Sequence, residues 1–189
     1  MNSIEHGTGL TKNDLTYLSE HNVTWNPTLA AYASFSYPDA RWKTIQDIFQ
    51  NALDVPGLKI ACGGDTGVFA HGENALEMKW MVRLGAKWNH VLRWATLHGW
   101  QCIRGLDWEG EAGEKRLAEI MSDTTTEEQG ARAGDNDVPF GWIRAGFAAD
   151  IIATSGDLET DFEKAVSPES IAFVMKGGQV VKSDGKEVA

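Results

Sequence analysis

Leu58-Lys59-Ile60-Ala61-Cys62-Gly63-Gly64-Asp65-Thr66-Gly67 is the stretch whose reading decides the fold. A short, mostly apolar run that closes on glycines is the pattern of a strand buried in a parallel sheet, and the Gly-Gly-Asp-Thr-Gly segment is a tight turn at its C-terminal end. Just before it, Arg41 to Leu53 has helical spacing, with Trp42, Ile45, Ile48 and Phe49 on one face. Further back, Val23-Thr24-Trp25-Asn26-Pro27-Thr28-Leu29 is β-rich, and Pro27 marks the point at which pairing must stop. Ala30 to Tyr37 reads as a loop. Thr11 with Asp14 three residues later is a capping pair, Leu15 and Leu18 give the helix an apolar face, and Asn22 is its stop. Ser3 to His6 is a further short strand. After the deciding stretch, one helix is expected from Glu73 to Leu84, ending at Gly85. A second is expected from Asn89 to Ile103, with Asn89 as its cap. Strands alternating with helices argue an α/β fold with parallel strands.

The character of the chain changes at Arg104. From there to Val138 it is acidic and rich in Gly, Thr and Glu, with one helix expected near Lys115–Met121, and it reads as a solvated insertion or linker. After Pro139 the pattern becomes β. Asp150–Thr154 and Ile171–Met175 are strands, and Lys176-Gly177-Gly178-Gln179 is a hairpin turn into Val180-Val181. The expected organisation is residues 1–103, an insertion over 104–138, and a β unit over 139–189.

Hydrophobic residues make up 42% of the 189, enough for a core and too many for wholesale disorder. The formal net charge of -10 repels phosphate backbones, so no nucleic-acid partner is expected. The two cysteines, Cys62 and Cys102, form no C-x-x-C pair and no disulfide framework. No apolar run approaches the roughly 20 residues of a membrane span. The first residues carry no charged-then-apolar leader pattern, and the expected compartment is the cytoplasm.

Two residues stand where chemistry is usually built. His6 closes the first strand and Asp65 follows the third, among small residues that let solvent approach. In a parallel barrel the C-terminal strand ends are where catalytic groups converge. A neutral imidazole and a carboxylate are ligand types that a zinc-like ion accepts. Each also has a bland reading: His6 as a surface residue near a chain start, Asp65 as a turn former.

A set of motifs shifts that balance. Ser3-Ile4-Glu5-His6-Gly7-Thr8, Asn26-Pro27-Thr28-Leu29, and Lys59 through Gly67 followed by His71-Gly72-Glu73-Asn74 resemble successive segments of the amidohydrolase superfamily. The most similar branch is the imidazolonepropionase-like, Xaa-Pro dipeptidase-like and ochratoxinase-like one. Gly146 with Ala149-Asp150-Ile151-Ile152, and Val174-Met175-Lys176-Gly177-Gly178, are similar to that branch's closing β-structure. The resemblance covers most of the chain except residues 104–138. It implies the last three strand–helix units of a (β/α)8 TIM barrel followed by strands of a small β-sandwich. It further implies hydrolysis of carbon–nitrogen bonds by water activated on a divalent metal, zinc in the full-length family enzyme, with a small amide or dipeptide as substrate. His6 would be a metal ligand, Asp65 a metal ligand and proton shuttle, and His71 a substrate contact. A loop or helix-entry role for His71 is an equal alternative.

The same resemblance exposes what this sequence lacks. The family's H-x-H pair, its lysine and a further histidine belong to earlier strands that have no counterpart here. Three strands do not close an eight-stranded barrel, which typically needs about 250 residues. The chain is therefore expected to be a C-terminal portion with little activity of its own, the strand edges at 3–6 and 58–62 facing nothing and inviting self-association or a missing N-terminal half. A non-catalytic binding or assembly module is the alternative, and an unrelated parallel α/β protein is a third.

Overall fold

A computed structural model describes residues 2–35, 39–104, 110–122 and 139–188. The chain divides into two compact units, Met1–Cys102 and Ile103–Ala189. The first is α/β. Its strands β1 (Ser3–Glu5), β2 (Thr24–Asn26) and β3 (Lys59–Ile60) form a parallel sheet in the order β1-β2-β3. Ile4 pairs with Trp25, and Trp25 with Ile60, so these three side chains share one face.

Helix α1 (Lys12–Glu20) starts where the sequence places it. Asp14 N–H donates to the Thr11 hydroxyl, and the bonds to Asp14 Oδ2 from the Thr11 hydroxyl at 2.6 Å and from Thr11 N–H at 2.7 Å hold the Asp14 carboxyl below its usual range. The buried residues Leu15 and Leu18 face inward, and Asn22 ends the turn in a left-handed conformation. Helix α3 (Asp39–Leu53) buries Ile45, Ile48 and Phe49, and the Phe49 ring lies 6.3 Å from that of Trp25. Leu15, Leu29, Phe49, Met81 and Val91 are fully buried, each worth about 1.5–3 kcal/mol relative to exposure.

Three expectations need correction in this unit. Residues 30–34, expected as a loop, belong to a helix, α2 (Leu29–Ser34), which begins at the last residue of the β-rich stretch. The sequence signal is absent because the cap of α2 is supplied from another helix. Residues 36 and 37 of that expected loop lie outside the described residues. Lys87 occupies the N-cap position of α5 (Trp88–Arg93), where Asn89 was expected; Asn89 lies inside that helix, and its Oδ1 accepts from His90 N–H.

The third correction concerns the edge of β3. The helix running on from α5 widens into a π-turn over Trp94–His98 before α6 (Gly99–Arg104). The Trp94 carbonyl accepts from Gly99 N–H within the π-turn, an i→i+5 bond. Trp94 O accepts from Cys62 N–H at 3.2 Å, and His98 Nδ1 lies 3.0 Å from Ile60 O. The carbonyl can only accept, so His98 Nδ1 carries the proton. The outer edge of β3 is thus paired with a helix and does not face nothing.

The second unit holds α7 (Gly110–Ser122), which spans the expected Lys115–Met121 helix; residues 105–109 and 123–138 of the acidic segment lie outside the described residues. Its sheet is β4 (Ile151–Thr154), β5 (Ile171–Lys176), β6 (Gln179–Ser183) and β7 (Lys186–Glu187), antiparallel and in sequence order. The described strands make one four-stranded sheet. Gly177 and Gly178 both have positive φ, 54° and 79°, as a two-residue hairpin turn requires. The short helix α8 (Phe162–Ala165) lies so close to Gly156 that an added Cβ there would sit 2.5 Å from Ala165 Cα.

Candidate functional site at the C-terminal ends of the parallel strands

Parallel strands deliver the residues that follow them to one edge of the sheet. Those residues are His6 after β1, Thr28 after β2 and Asp65 after β3. All three have left-handed backbone, with φ of 68°, 53° and 59°. For side chains other than glycine this conformation is uncommon, and for β-branched Thr28 it is a clear outlier. Strained positions of this kind gather at functional sites.

His6 is fixed from several sides. Its N–H donates to Asn26 O at 2.9 Å, and its own carbonyl accepts from Trp25 Nε1–H at 2.9 Å. Gly7 follows with φ 82°, and a Cβ there would lie 2.5 Å from Leu10 Cδ1, so only glycine fits. The ring meets Tyr32 edge-on at 6.0 Å. Its Nδ1 lies 2.7 Å from Thr28 Oγ1, and that hydroxyl donates its proton to Pro27 O at 2.8 Å. A hydroxyl has one proton to give. With that proton on Pro27 O, Nδ1 is the donor to Thr28 Oγ1, and in the neutral ring Nε2 is the unprotonated nitrogen.

Asp65 is exposed in the turn after β3, and its carbonyl accepts from Val68 N–H. His71 is exposed at the entry to α4 (Ala75–Arg83). The structure shows no bond joining either to His6. Among the described residues, no three His, Cys, Asp or Glu side chains converge as a metal-binding group. His6 and Asp65 are thus donors of a fitting kind without a complete set.

Sequence reasoning passed over two residues that shape this edge. Thr28 was readable as a polar residue at a strand end. Glu77 stands with Met81 and Leu84 at i, i+4 and i+7 on the buried face of α4, and an acid in such a row is the signal. It is fully buried and accepts from Leu29 N–H at 3.0 Å and Ala30 N–H at 2.6 Å. Burial raises its carboxyl to about 7, against the lowering effect of those two bonds. Burial, with the Glu77 charge nearby, also pushes the Cys62 thiol well up.

No family model matches the chain, and no curated protein does. Solved structures do. A Xaa-Pro dipeptidase with methionine in its active site has 24% identity and a TM-score of 0.66, over 97% of this chain and 40% of that one. The A. niger ochratoxinase has 21% identity and a TM-score of 0.69, over 96% and 37%. The fold of this chain is similar to part of each of these, and to part of a structure described as an amidohydrolase, at 16% identity and a TM-score of 0.64. A prolidase complexed with N-methylphosphonate-L-proline extends the series, at 19% identity and a TM-score of 0.58 over 97% and 40%. The chain spans about two-fifths of the length of each of these structures. This agrees with the resemblance carried by Ser3–Thr8 and Lys59–Asn74. Among the described residues, no helix is long and apolar enough to cross a membrane.

Proposed function

We propose that this chain is the C-terminal portion of a metal-dependent hydrolase of carbon–nitrogen bonds. In this reading β1 to β3 are the last three strands of a (β/α)8 barrel, residues 1–103 belong to it, residues 104–138 are an insertion, and residues 139–189 form the accessory β unit. The observation that carries the reading is His6, held at a strand end with its Nδ1 2.7 Å from Thr28 Oγ1, a contact that favours the neutral ring with Nδ1–H and Nε2 free. That is how a ligating imidazole is oriented by its hydrogen-bonded partner. Asp65, at the end of β3, supplies a second donor and a carboxylate able to take a proton; His71 lies in the loop that would meet a small amide or dipeptide. A divalent ion such as zinc supplies an acidified water when bound, at a pKa of about 7. Two donors do not make a catalytic site, so the chain by itself has little or no hydrolytic activity.

The test is a zinc titration of the purified chain beside His6→Asn and Asp65→Asn. Weak binding in the parent that drops at least tenfold in each variant supports the reading. Equal binding in all three proteins overturns it.

A second reading, a non-catalytic assembly module, is favoured by Ile143 and Ile152 in the second unit, 86% and 67% exposed. Concentration-dependent self-association with no metal binding supports it; a strict monomer counts against it.

A further inference from the structure

Helix α2 begins in an unusual way. Thr28 is its N-cap residue, a position where a threonine hydroxyl ordinarily accepts from the helix's first N–H groups. Here the hydroxyl makes no such bond. It faces the other way, with its proton on Pro27 O and its lone pair on His6 Nδ1. The N–H groups of Leu29 and Ala30, which Thr28 leaves unserved, are taken instead by the two carboxylate oxygens of Glu77, reaching from the first turn of α4. Both N–H donors are buried, and buried donors without acceptors are rare in folded chains.

We propose that Glu77 is a positioning residue for the strand-end site: by capping α2 from a distance, it releases the Thr28 hydroxyl to hold His6 in its Nδ1-protonated form. The chain of contacts is short and continuous. Glu77 fixes the first turn of α2, the first turn fixes Thr28 in its left-handed conformation, and Thr28 fixes the imidazole. The hydrogen bonds of Glu77 go to Leu29 and Ala30, so the role proposed for it is exerted through Thr28. Were the acid removed, the Ala30 N–H would lose its acceptor, and Thr28, the N-cap residue, carries a hydroxyl that can cap once its backbone leaves the left-handed region. Turning it toward the helix would take it off His6. The ring would then be free to exchange tautomers, and Nε2 would no longer be reliably bare.

This proposal rests on the reading of His6 as a site residue, but its test needs neither metal nor activity. The tautomer of the His6 ring is read by nitrogen NMR on 15N-histidine-labelled full-length chain, with His6 assigned by the loss of its signals in His6→Asn. The parent is expected to show the Nδ1–H signature. Thr28→Val, which removes the hydroxyl, is expected to lose it. Glu77→Gln, shown to be folded by its dispersed amide spectrum, is expected to lose it too, because the amide offers one acceptor for two N–H groups. Glu77→Asp, which withdraws the charge by one methylene, serves the same comparison where Glu77→Gln does not fold.

A folded Glu77 variant that keeps the parent's His6 signature, while Thr28→Val loses it, overturns the proposal and leaves Glu77 a helix cap only. In the unmodified chain, the Leu29 and Ala30 amides are expected to exchange slowly with solvent. Rapid exchange there overturns the proposal independently of any variant. Failure of zinc binding with these signatures intact would count against the metal reading alone.

Discussion

His6, Thr28 and Asp65 each hold a backbone conformation that costs about 1–3 kcal/mol for a residue other than glycine. At Thr28 the cost and the hydrogen bond to His6 can be separated. Thr28→Gly fits the left-handed backbone and lacks the hydroxyl, so thermal unfolding is expected to shift little while zinc affinity falls about 10- to 100-fold, as for loss of a ligand's supporting partner. A large loss of stability with unchanged affinity would contradict this. Glu77 gives a pH prediction. Its folded carboxyl titrates at about 7 against an ordinary 4.5, so the folded chain binds the extra proton between those values. The stability it contributes is full below 4.5 and is lost as pH rises toward 7, on the order of 3 kcal/mol at most. Urea midpoints measured from pH 4.5 to 8 should fall with pH, and Glu77→Gln should flatten that fall. Residue types at the strand ends were legible in the sequence. The partner of each was not, because Thr28 and His6 are 22 positions apart, and Glu77 and Ala30 are 47.

Among the elements, α1 and α3 were legible because their signals are local: a capping pair in one, and a row of apolar residues at helical spacing in the other. Phe49, on that row, joins α3 to the sheet, and Phe49→Ala is expected to cost about 3–5 kcal/mol by chemical denaturation. Helix α2 was not legible because its cap comes from α4. The π-turn was not legible either, because its reason lies in the edge of β3. His98 in that turn has its pKa lowered, first by burial. Its contribution to stability is therefore present above the ordinary value of 6.5 and lost as pH falls through the lower folded value. His98→Gln should make the unfolding midpoint less sensitive to acid below 6.5, and an unchanged acid limb would show that the ring does not matter there.

On the scale of the whole molecule, the charge of -10 and the two units bear on what the chain can do alone. With two metal-type donors at the sheet edge and no group of three among the described residues, it is expected to show no turnover of dipeptides ending in proline or of N-acyl amino acids above background, with zinc or manganese supplied. Metal-dependent turnover abolished by Asp65→Asn would show that the 189-residue chain completes a site by itself.

The sequence by itself determined the alternation of helix and strand in the first unit, the change to β-structure after Pro139, the hairpin at Gly177-Gly178, and the placing of His6 and Asp65 at strand ends. Each follows from periodicity, turn chemistry or capping within a few residues. Only the tertiary structure decided that Glu77 caps α2, that Thr28 turns its hydroxyl to His6, and that a π-turn closes the edge of β3. In all three, a backbone or ring group is satisfied by a partner distant in sequence, and the need of buried donors and acceptors to be paired selects that partner only after the chain has folded.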